Sequence, residues 1–565
     1  MLGHTDTGRV MIVDLSAEGE RLADQVVDAG ELPAVVAARA ADHRWVWGDT
    51  GAWYPALLAA GVRVGRCRDL RLAHAILRGS AAVTESSALR TAREWDAAPV
   101  DAATDAGDDR PTLFDLTERP GVPDGIDAAL AELARQRAAI ASAREPGRLE
   151  LLVAAESAGA LIAAELRAAG LPWDAAVHDR LLRDVLGDRP AGGGQPALLA
   201  AAAARVRDAL GDPAVSLDSQ PQLLRSLHRA GVLVRSTSRW ELAEHTHPVI
   251  EPLLEYKKLA RLMSANGWAW LDEWVRDGRF RPVYVPAGVV TGRWASSGGG
   301  ALQLPRLLRT AVRADPGWRL VVADVAQLEP RVLAAMARDT AMAEAARGRD
   351  LYAGVVASGA VATRDEAKIA VLGALYGATT GESGRLVPRL RRTFPRAMAL
   401  VDAAAATGED GGVVSTWLGR TSPRPGTGWR ETQSRASDAE ASEEDESRAR
   451  RRARDRGRFT RNFVVQGTAA EWALCWLAGL RRRLDAMPPV AGAAGARASG
   501  PAFARIPHVA FFLHDEIIVH SPSEHADSVA QAVADAAAEA GRLLFGDFPI
   551  DFPLDLRIAE DAGKP

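Results

Sequence analysis

The chain has 565 residues, of which 47% are hydrophobic and 25% charged, with a net charge of −4. These values are typical of a soluble globular protein with about three or four domains. Two cysteines, Cys67 and Cys475, exclude a disulfide scaffold, and no stretch is long and apolar enough to predict a membrane span. The N-terminus lacks the pattern of a secretory signal, so we expect a cytoplasmic protein.

The first 165 residues alternate short apolar runs with helical patterns. Strands are predicted at "RVMIVDL" (9–15) and "HRWVWGD" (43–49), and helices at "GAWYPALLAAGV" (51–62) and "LRLAHAILRG" (70–79). This alternation is typical of an α/β domain. A loop is expected at residues 100–125.

The remainder of the chain divides into a helical and a mixed region. Residues 126–275 show a helical period throughout, whereas residues 276–565 mix strands and helices. Two low-complexity stretches, 421–447 and 486–503, are expected to be surface insertions. An arginine-rich run at 447–461 follows an acidic run, with which it could simply pair.

Two acidic motifs are expected to meet at the ends of strands. In "VAFFLHDEIIVHSP" (509–522), two apolar runs flank His514, Asp515 and Glu516, which predicts a hairpin with both carboxylates at its tip. In "WRLVVADVAQLEPRVL" (318–333), a buried strand ends at Asp324 and a helix follows from about Leu328. Adjacent carboxylates repel unless a cation lies between them. Asp324 and Asp515 on neighbouring strands could bind two Mg²⁺ ions about 3.5–4 Å apart, an arrangement suited to phosphoryl transfer.

A third motif predicts a helix that binds a triphosphate. In "TRDEAKIAVLGALYGATTG" (363–381), Thr363 and Glu366 fit a capping box. Cationic and larger side chains then recur every four residues on one face: Arg364, Lys368, Leu372 and Tyr376. They span about 18 Å, similar to a nucleoside triphosphate. Lysine is rare here, occurring only at 257, 258, 368 and 564, which favours a specific role for Lys368.

Together these motifs resemble the family A DNA polymerases, of the bacterial DNA polymerase I type, from about residue 170 to the end. "DVAQLEPR" (324–331) resembles the family's D-Y-S-Q-I-E-L-R, and "HDE" its second acidic motif. The resemblance implies that Asp324, the Val325 carbonyl and Asp515 bind two Mg²⁺ ions, which Mn²⁺ could replace. It also implies that Glu516 is a supporting carboxylate and that Lys368 acts in catalysis.

The resemblance further implies contacts to nucleotide and DNA. Glu329 would exclude a ribose 2′-hydroxyl, Tyr376 would stack near the templating base, and Leu372 stands where the family has Phe or Tyr. The implied nucleotide-binding residues are Gln327, Glu329, Tyr352, Arg364, Lys368, Leu372 and Tyr376. The implied DNA-binding residues are Lys257, Lys258, Arg293, Arg458, Asn462, Gln466 and His514.

The N-terminal region resembles the family's 3′–5′ exonuclease domain but lacks some of its carboxylates. Asp14 and Asp49 occupy acidic positions, while Ser16 stands where the motif has glutamate. We therefore expect an inactive exonuclease-like domain. The stretch before it is too short for a 5′-nuclease domain, so that domain is expected to be absent.

The sequence thus predicts an α+β multidomain protein: an exonuclease-like α/β domain followed by a right-hand polymerase. The expected parts are the exonuclease-like domain (1–165), the thumb and start of the polymerase (166–275), the first part of the palm (276–335), the fingers (336–420), an insertion (421–447) and the second part of the palm (448–565).

The expected function is template-directed DNA synthesis in repair or gap filling, by a monomer acting on primer–template DNA and deoxynucleoside triphosphates. The alternatives are a bifunctional enzyme with active proofreading, a non-catalytic DNA-binding relic, and a single-subunit RNA polymerase. Retention of Asp324, Asp515 and Glu516 argues against the relic. Glu329 and the Arg293 motif "TGRWASSGGGALQLPR" (291–306) argue against the RNA polymerase.

Overall fold

The computed structural model describes residues 1–39, 43–96, 121–348, 350–377, 381–438 and 441–563. The chain forms two compact units. The first unit comprises Met1–Gly170, Val283–Gly298 and Pro316–Ala559. The second unit comprises Leu171–Pro282, Gly299–Asp315 and Glu560–Pro565. Most of the loop expected at 100–125 lies outside the described residues.

The strands and helices follow in chain order. The strands are β1 (Leu2–His4), β2 (Val10–Leu15), β3 (Arg21–Val27), β4 (Arg44–Trp47), β5 (Arg66–Asp69), β6 (Leu171–Pro172), β7 (Val275–Arg276), β8 (Arg279–Phe280), β9 (Val283–Val285), β10 (Ala295–Gly298), β11 (Trp318–Val325), β12 (His508–Leu513), β13 (Glu516–Pro522) and β14 (Leu554–Ala559). The helices are α1 (Leu32–Ala38), α2 (Thr50–Ala59), α3 (Leu70–Leu77), α4 (Ser87–Thr91), α5 (Ile126–Ala141), α6 (Pro146–Ala169), α7 (Ala175–Leu186), α8 (Ala197–Leu210), α9 (Gln220–Arg229), α10 (Arg239–Ala243), α11 (Ile250–Asn266), α12 (Trp268–Trp274), α13 (Leu328–Ala337), α14 (Thr340–Ala345), α15 (Leu351–Ala357), α16 (Arg364–Tyr376), α17 (Gly381–Thr393), α18 (Pro395–Glu409), α19 (Thr427–Ala436), α20 (Glu443–Asp485) and α21 (Ala526–Phe545).

The N-terminal part of the first unit has the predicted mixture of strands and helices. The antiparallel sheet β1-β2-β3 and the parallel pair β4-β5 are accompanied by α1 to α3. The alternating apolar residues of β2 and β4 supply a core that includes Ile12, Trp45 and Trp47. The strands and helices predicted in this region are therefore confirmed.

A buried ionic cluster joins this N-terminal part to α20. Arg481 of α20 donates hydrogen bonds to Glu165 of α6 at 2.7 and 2.9 Å, and Tyr54 of α2 donates to the same carboxylate at 2.6 Å. Burial alone would raise the pKa of Glu165, but the charges of Arg481 and Arg63 outweigh it and lower that pKa to about 2. Breaking such a buried pair from one side leaves an uncompensated charge, so this cluster fixes α20 against α6 and α2.

The C-terminal part of the first unit contains a four-stranded sheet and a helical layer. The antiparallel sheet has the order β12-β13-β11-β14. Helices α13 to α18 bury a separate apolar cluster that includes Leu333, Leu351, Val371 and Phe394. The sheet thus carries both acidic motifs, and the helical layer contains the predicted triphosphate helix as α16.

The second unit is mainly helical, as predicted for this part of the chain. Helices α7 to α12 pack around apolar residues, and the short sheet β6-β8-β7 lies among them. Trp173, Trp270 and Phe280 form an aromatic cluster with centroids 4.8–5.6 Å apart. His178 lies in the same cluster, and burial lowers its pKa to about 4.

One expectation about the surface was wrong. The stretch 486–503 is not only a surface insertion, because Val490 is buried and Phe503 is 1% exposed within the N-terminal core. Its Ala/Gly/Pro-rich composition concealed these apolar anchors. The expectation that no stretch is long and apolar enough to span a membrane also needs correction, because α20 is, by length and composition alone. Since 83% of its most apolar stretch is buried inside the protein, α20 has the character of a core helix.

Candidate active site

The four-stranded sheet places the two acidic motifs side by side. The apolar run Leu320–Ala323 makes β11 a buried strand, and Asp324 lies at its end. The strand register pairs Asp324 with Glu516 of β13. The Val325 amide donates a hydrogen bond of 2.9 Å to the Asp515 carbonyl. Residues far apart in sequence are therefore joined by the sheet itself, as the two motifs predicted.

The β12–β13 hairpin turns at His514 and Asp515. His514 has a φ of 57°, a left-handed conformation that is uncommon for a residue with a side chain. Gln327, before α13, has a similar φ of 49°. Such conformations are found disproportionately at functional sites. Glu516 departs from the expectation of an unburied tip, because it is the first residue of β13 and is only 6% exposed.

The electrostatics of the hairpin tip favour a cation. Burial, followed by the charge of Asp324, raises the pKa of Asp515 to about 6. Burial, with the charge of Arg293, lowers the pKa of His514 to about 4, so that histidine is neutral at pH 7. The described residues contain no group of three or more His, Cys, Asp or Glu side chains arranged to hold a metal ion. Asp324 and Asp515 are the two aspartates that the sheet brings together at this place.

A cavity of about 330 Å³ lies beside the hairpin tip. It collects eight of the side chains singled out in the sequence: Arg293, Gln327, Glu329, Tyr352, Leu372, Tyr376, His514 and Asp515. They come from the β9–β10 region, α13, α15, α16 and the hairpin, which are distant in sequence. Asp324, Arg364, Lys368 and Glu516 are not among the lining residues.

Glu329 is the centre of a polar network in this cavity. The Tyr376 hydroxyl donates a hydrogen bond of 2.9 Å to Glu329, and Arg293 forms an ion pair with the same carboxylate. Burial and the charge of Glu329 raise the pKa of Tyr376 to about 12. The network holds the far end of α16 close to α13 and fixes the position of the carboxylate.

Helix α16 has the predicted beginning and end. The Thr363–Glu366 capping box is present, and Gly377 ends the helix with a φ of 71°. Lys368 is exposed, with no partner among the described residues. Arg364 forms an ion pair of 2.7 Å with Asp350 and lies over the Tyr352 ring. Two cations are thus presented on the face that leads to Tyr376.

The predicted DNA-binding residues fall in three places. Arg458, Asn462 and Gln466 share one face of α20, and Thr291 donates a hydrogen bond of 3.0 Å to Gln466. Arg293 and His514 line the cavity. In the second unit, Lys257 donates a hydrogen bond of 2.6 Å to Thr237, and desolvation lowers its pKa, while Lys258 is exposed.

Sequence reasoning missed Asp350 and Thr291. Asp350 caps α15 by accepting from the Tyr352 amide at 3.1 Å, and its other oxygen holds Arg364. An aspartate directly before a helical pattern was the available signal for the cap. Nothing in the sequence pattern indicated that Thr291 would contact Gln466.

Asp14 and Asp49, the carboxylates singled out in the N-terminal region, are paired with arginines. Asp14 forms an ion pair with Arg39. Asp49 is buried, caps α2 through the Gly51 amide and forms an ion pair of 2.9 Å with Arg71. The negative charge of each carboxylate is therefore balanced by an arginine of the protein itself.

Comparisons with known proteins agree with the motifs. The profile of DNA polymerase family A matches residues 215–560. The thermostable DNA polymerase I of Thermus aquaticus is 27% identical over 357 residues, covering 57% of this chain and 37% of the relative. The DNA polymerase I of Chloroflexus aurantiacus is 27% identical over 356 residues, covering 58% of this chain and 34% of the relative. The chain thus spans less than two fifths of the length of these curated relatives.

A solved structure shares the fold. The polymerase domain of Pol1 from M. smegmatis, in complex with DNA primer–template and dNTP, superposes with a TM-score of 0.68 at 17% identity. The match covers 98% of this chain and 92% of that chain. It confirms the mixed helix-and-sheet polymerase fold. Since the family profile covers more than half of the sequence, this chain belongs to the family A DNA polymerases.

Proposed function

We propose that this chain is a template-directed DNA polymerase that adds deoxynucleotides to a primer 3′ end, in repair or gap filling. The observation that carries the proposal is the convergence of Asp324 and Asp515, joined through the sheet beside the cavity that Glu329 and Tyr376 line. We also propose that it acts as a monomer in the cytoplasm. Its partners would be primer–template DNA and deoxynucleoside triphosphates.

The domain roles belong to the same proposal. The sheet β12-β13-β11-β14 would be the palm, and the helical layer that includes α16 would be the fingers. Helix α11, with Lys257 and Lys258, would be the thumb helix that contacts the duplex backbone. Such phosphate contacts position DNA without reading its sequence, and they make affinity fall with salt.

The pair of aspartates fits a divalent metal site. Members of this family use divalent metal ions, and we propose two Mg²⁺ ions, replaceable by Mn²⁺, held by Asp324, Asp515 and the Val325 carbonyl. The fit rests on the sheet, which joins the two aspartates, and on the raised pKa of Asp515, which burial and then the charge of Asp324 cause. When bound, such ions polarise phosphoryl oxygens and activate a hydroxyl nucleophile.

The chain's own residues would bind and orient the nucleotide. Arg364 and Lys368 offer cations to the phosphates from the exposed face of α16. Lys368 would donate a proton to the leaving pyrophosphate. Glu329, fixed by Tyr376 and Arg293, would occupy the space that a ribose 2′-hydroxyl needs.

Template dependence is the direct test of this function. Four primer–templates that differ only in the templating base are each offered the four deoxynucleotides singly with Mg²⁺. We expect each template to direct addition of its complementary nucleotide. No extension, or addition of the same nucleotide on every template, would contradict the proposal. Addition of ribonucleotides as readily as deoxynucleotides would instead favour the RNA polymerase alternative.

Leu372 is expected to limit the use of chain terminators. Its side chain lines the cavity where the family has an aromatic residue. A dideoxynucleotide lacks the 3′-hydroxyl and therefore the hydrogen bond that this group makes. In Leu372→Tyr, the tyrosine hydroxyl would face the sugar and supply a hydrogen bond in its place. One such bond corresponds to about 1 kcal/mol, and acceptance of dideoxynucleotides should rise about fivefold.

The measurement is the ratio of kcat/KM for dideoxy and deoxy substrates, with Leu372→Phe as the matched control. The control supplies the ring without the hydroxyl. Equal ratios in the two variants would show that this side chain does not face the sugar.

The exonuclease-like region is expected to be inactive. Asp14 and Asp49 are occupied by Arg39 and Arg71, which compete with any metal for the same oxygens. A mismatched primer incubated with Mn²⁺ should remain intact, while a matched primer is extended by the same preparation. Asp324→Ala removes an aspartate of the proposed polymerase site. If this variant still excised the mismatched nucleotide, the bifunctional alternative would be established.

A further inference from the structure

The N-terminal half of α20 carries an arginine stripe that the proposed active site does not use. We define the stripe as Arg451 and Arg454, both exposed. Spacings of three and four residues place them on the same helix face as Arg458, Asn462 and Gln466. The proposed DNA-contacting face of α20 thus continues for two further turns towards the helix N-terminus.

The other arginines of this segment are already engaged. Arg448 and Arg450 form ion pairs with Glu444 and Glu446 at 2.7 and 2.9 Å. These i, i+4 pairs use part of the acidic run that precedes the arginines.

Two more arginines serve the local fold. Arg452 donates a hydrogen bond of 2.6 Å to the Gly428 carbonyl at the start of α19. Arg456 donates one of 3.3 Å to the Gly412 carbonyl. Within the part of the chain that the structure describes, Arg451 and Arg454 have neither an ion pair nor a hydrogen bond. The pairing of basic and acidic runs therefore accounts for only part of the positive charge.

The stripe begins near the C-terminal end of α16. A Cβ on Gly377, the residue that follows α16, would lie 2.9 Å from the Arg458 side chain. Arg461 of α20 donates a hydrogen bond of 2.7 Å to the Ala374 carbonyl of α16. From Arg458, the axial rise of a helix places Arg454 about 6 Å and Arg451 about 10 Å farther from Gln466. The stripe therefore leads away from the sheet, starting beside Tyr376.

We propose that Arg451 and Arg454 bind phosphates of the single-stranded template ahead of the templating base. This inference rests on the proposed function, in which Tyr376 lies near that base and Asn462 and Gln466 face the duplex. A template strand that passes Tyr376 continues past Arg458 and reaches the stripe. Exposed guanidinium groups without acidic partners match a phosphate backbone in charge and in hydrogen-bonding geometry.

The test compares primer–templates whose template strand extends one or eight nucleotides beyond the primer. Equilibrium Kd is measured by fluorescence anisotropy over a range of KCl concentrations for wild type and Arg451→Gln/Arg454→Gln. The matched control is Arg448→Gln/Arg450→Gln, which removes the same charge from ion-paired positions. Glutamine and arginine have similar helix propensities, so α20 should be retained in both.

For the eight-nucleotide overhang, we expect the stripe variant to bind about fivefold or more weakly than wild type. For the stripe variant, the logarithm of the association constant should fall less steeply with log[KCl], by about 1.4 in slope, which is the value for two single-strand phosphate contacts. For the one-nucleotide overhang, its Kd should match wild type, and the control should match wild type on both. An equal loss of affinity for both overhangs would mean that the stripe contacts the duplex. No loss of affinity for either overhang would mean that the stripe does not bind DNA. Each result overturns the inference.

The same preparations separate this inference from the function on which it rests. Wild type is assayed for extension on the one-nucleotide overhang, which cannot reach the stripe. Absence of extension there would refute the polymerase proposal itself. Extension by wild type, combined with unchanged long-overhang affinity in the stripe variant, would refute only the role of Arg451 and Arg454.

Discussion

Asp324→Ala and Asp515→Ala should each lower the rate of primer extension roughly 10³-fold or more. The reason is that each change removes one of the two aspartates that the sheet brings together. Metal-assisted phosphoryl transfer depends on several kcal/mol of charge stabilisation at this place, and each 1.36 kcal/mol corresponds to tenfold in rate. The measurement is single-turnover extension with saturating primer–template and deoxynucleotide.

Binding and stability distinguish a catalytic from a structural role for these aspartates. Both variants should bind primer–template with a Kd close to wild type. Asp515→Asn should not lower the thermal unfolding midpoint in metal-free buffer, because burial and the charge of Asp324 already disfavour its ionised form. Asp547→Asn, an exposed position in the same unit, serves as the control and should keep full activity. Loss of folding in the variants would assign the aspartates to structure.

Lys368→Ala should slow the chemical step by about 10²-fold, the usual effect of losing a general acid. The lysine is exposed on α16, and no described residue holds it, so its ammonium is available to the phosphates. Pre-steady-state extension at saturating nucleotide measures this step. Lys368→Arg keeps the positive charge but is a much weaker proton donor. It should therefore restore the affinity for nucleotide to a greater extent than the rate of the chemical step.

Lys258→Ala provides the contrast, because it removes another exposed lysine in the second unit. It should weaken primer–template binding and leave the chemical rate unchanged. If Lys368→Ala retained the wild-type rate, or behaved like Lys258→Ala, the lysine of α16 would have no part in the reaction.

Local signals in the sequence were sufficient to predict several elements. The Thr363–Glu366 capping box and Gly377 set the ends of α16, because capping depends on neighbouring residues alone. The apolar run before Asp324 predicted β11 for the same reason. The resemblance to family A, carried by these motifs, is confirmed by the family profile.

Long-range contacts could not be predicted in the same way. The ion pair between Arg293 and Glu329, the hold of Asp350 on Arg364 and the burial of Phe503 depend on residues brought together by the fold. Glu516 was expected at an exposed tip, but strand pairing begins at that residue and buries it. The length of α20 was also hidden, because its first turns consist of charged residues without an apolar period.

The most direct test of the account is the location of metal ions in a complex of this chain with a dideoxy-terminated primer–template, the next complementary nucleotide and Mn²⁺. Anomalous scattering from manganese locates the ions independently of the protein coordinates. We predict two peaks, each within bonding distance of carboxylate oxygens from Asp324 or Asp515, with at least one contacting both. Peaks located elsewhere, or Asp324 and Asp515 without a shared ion, would contradict the account.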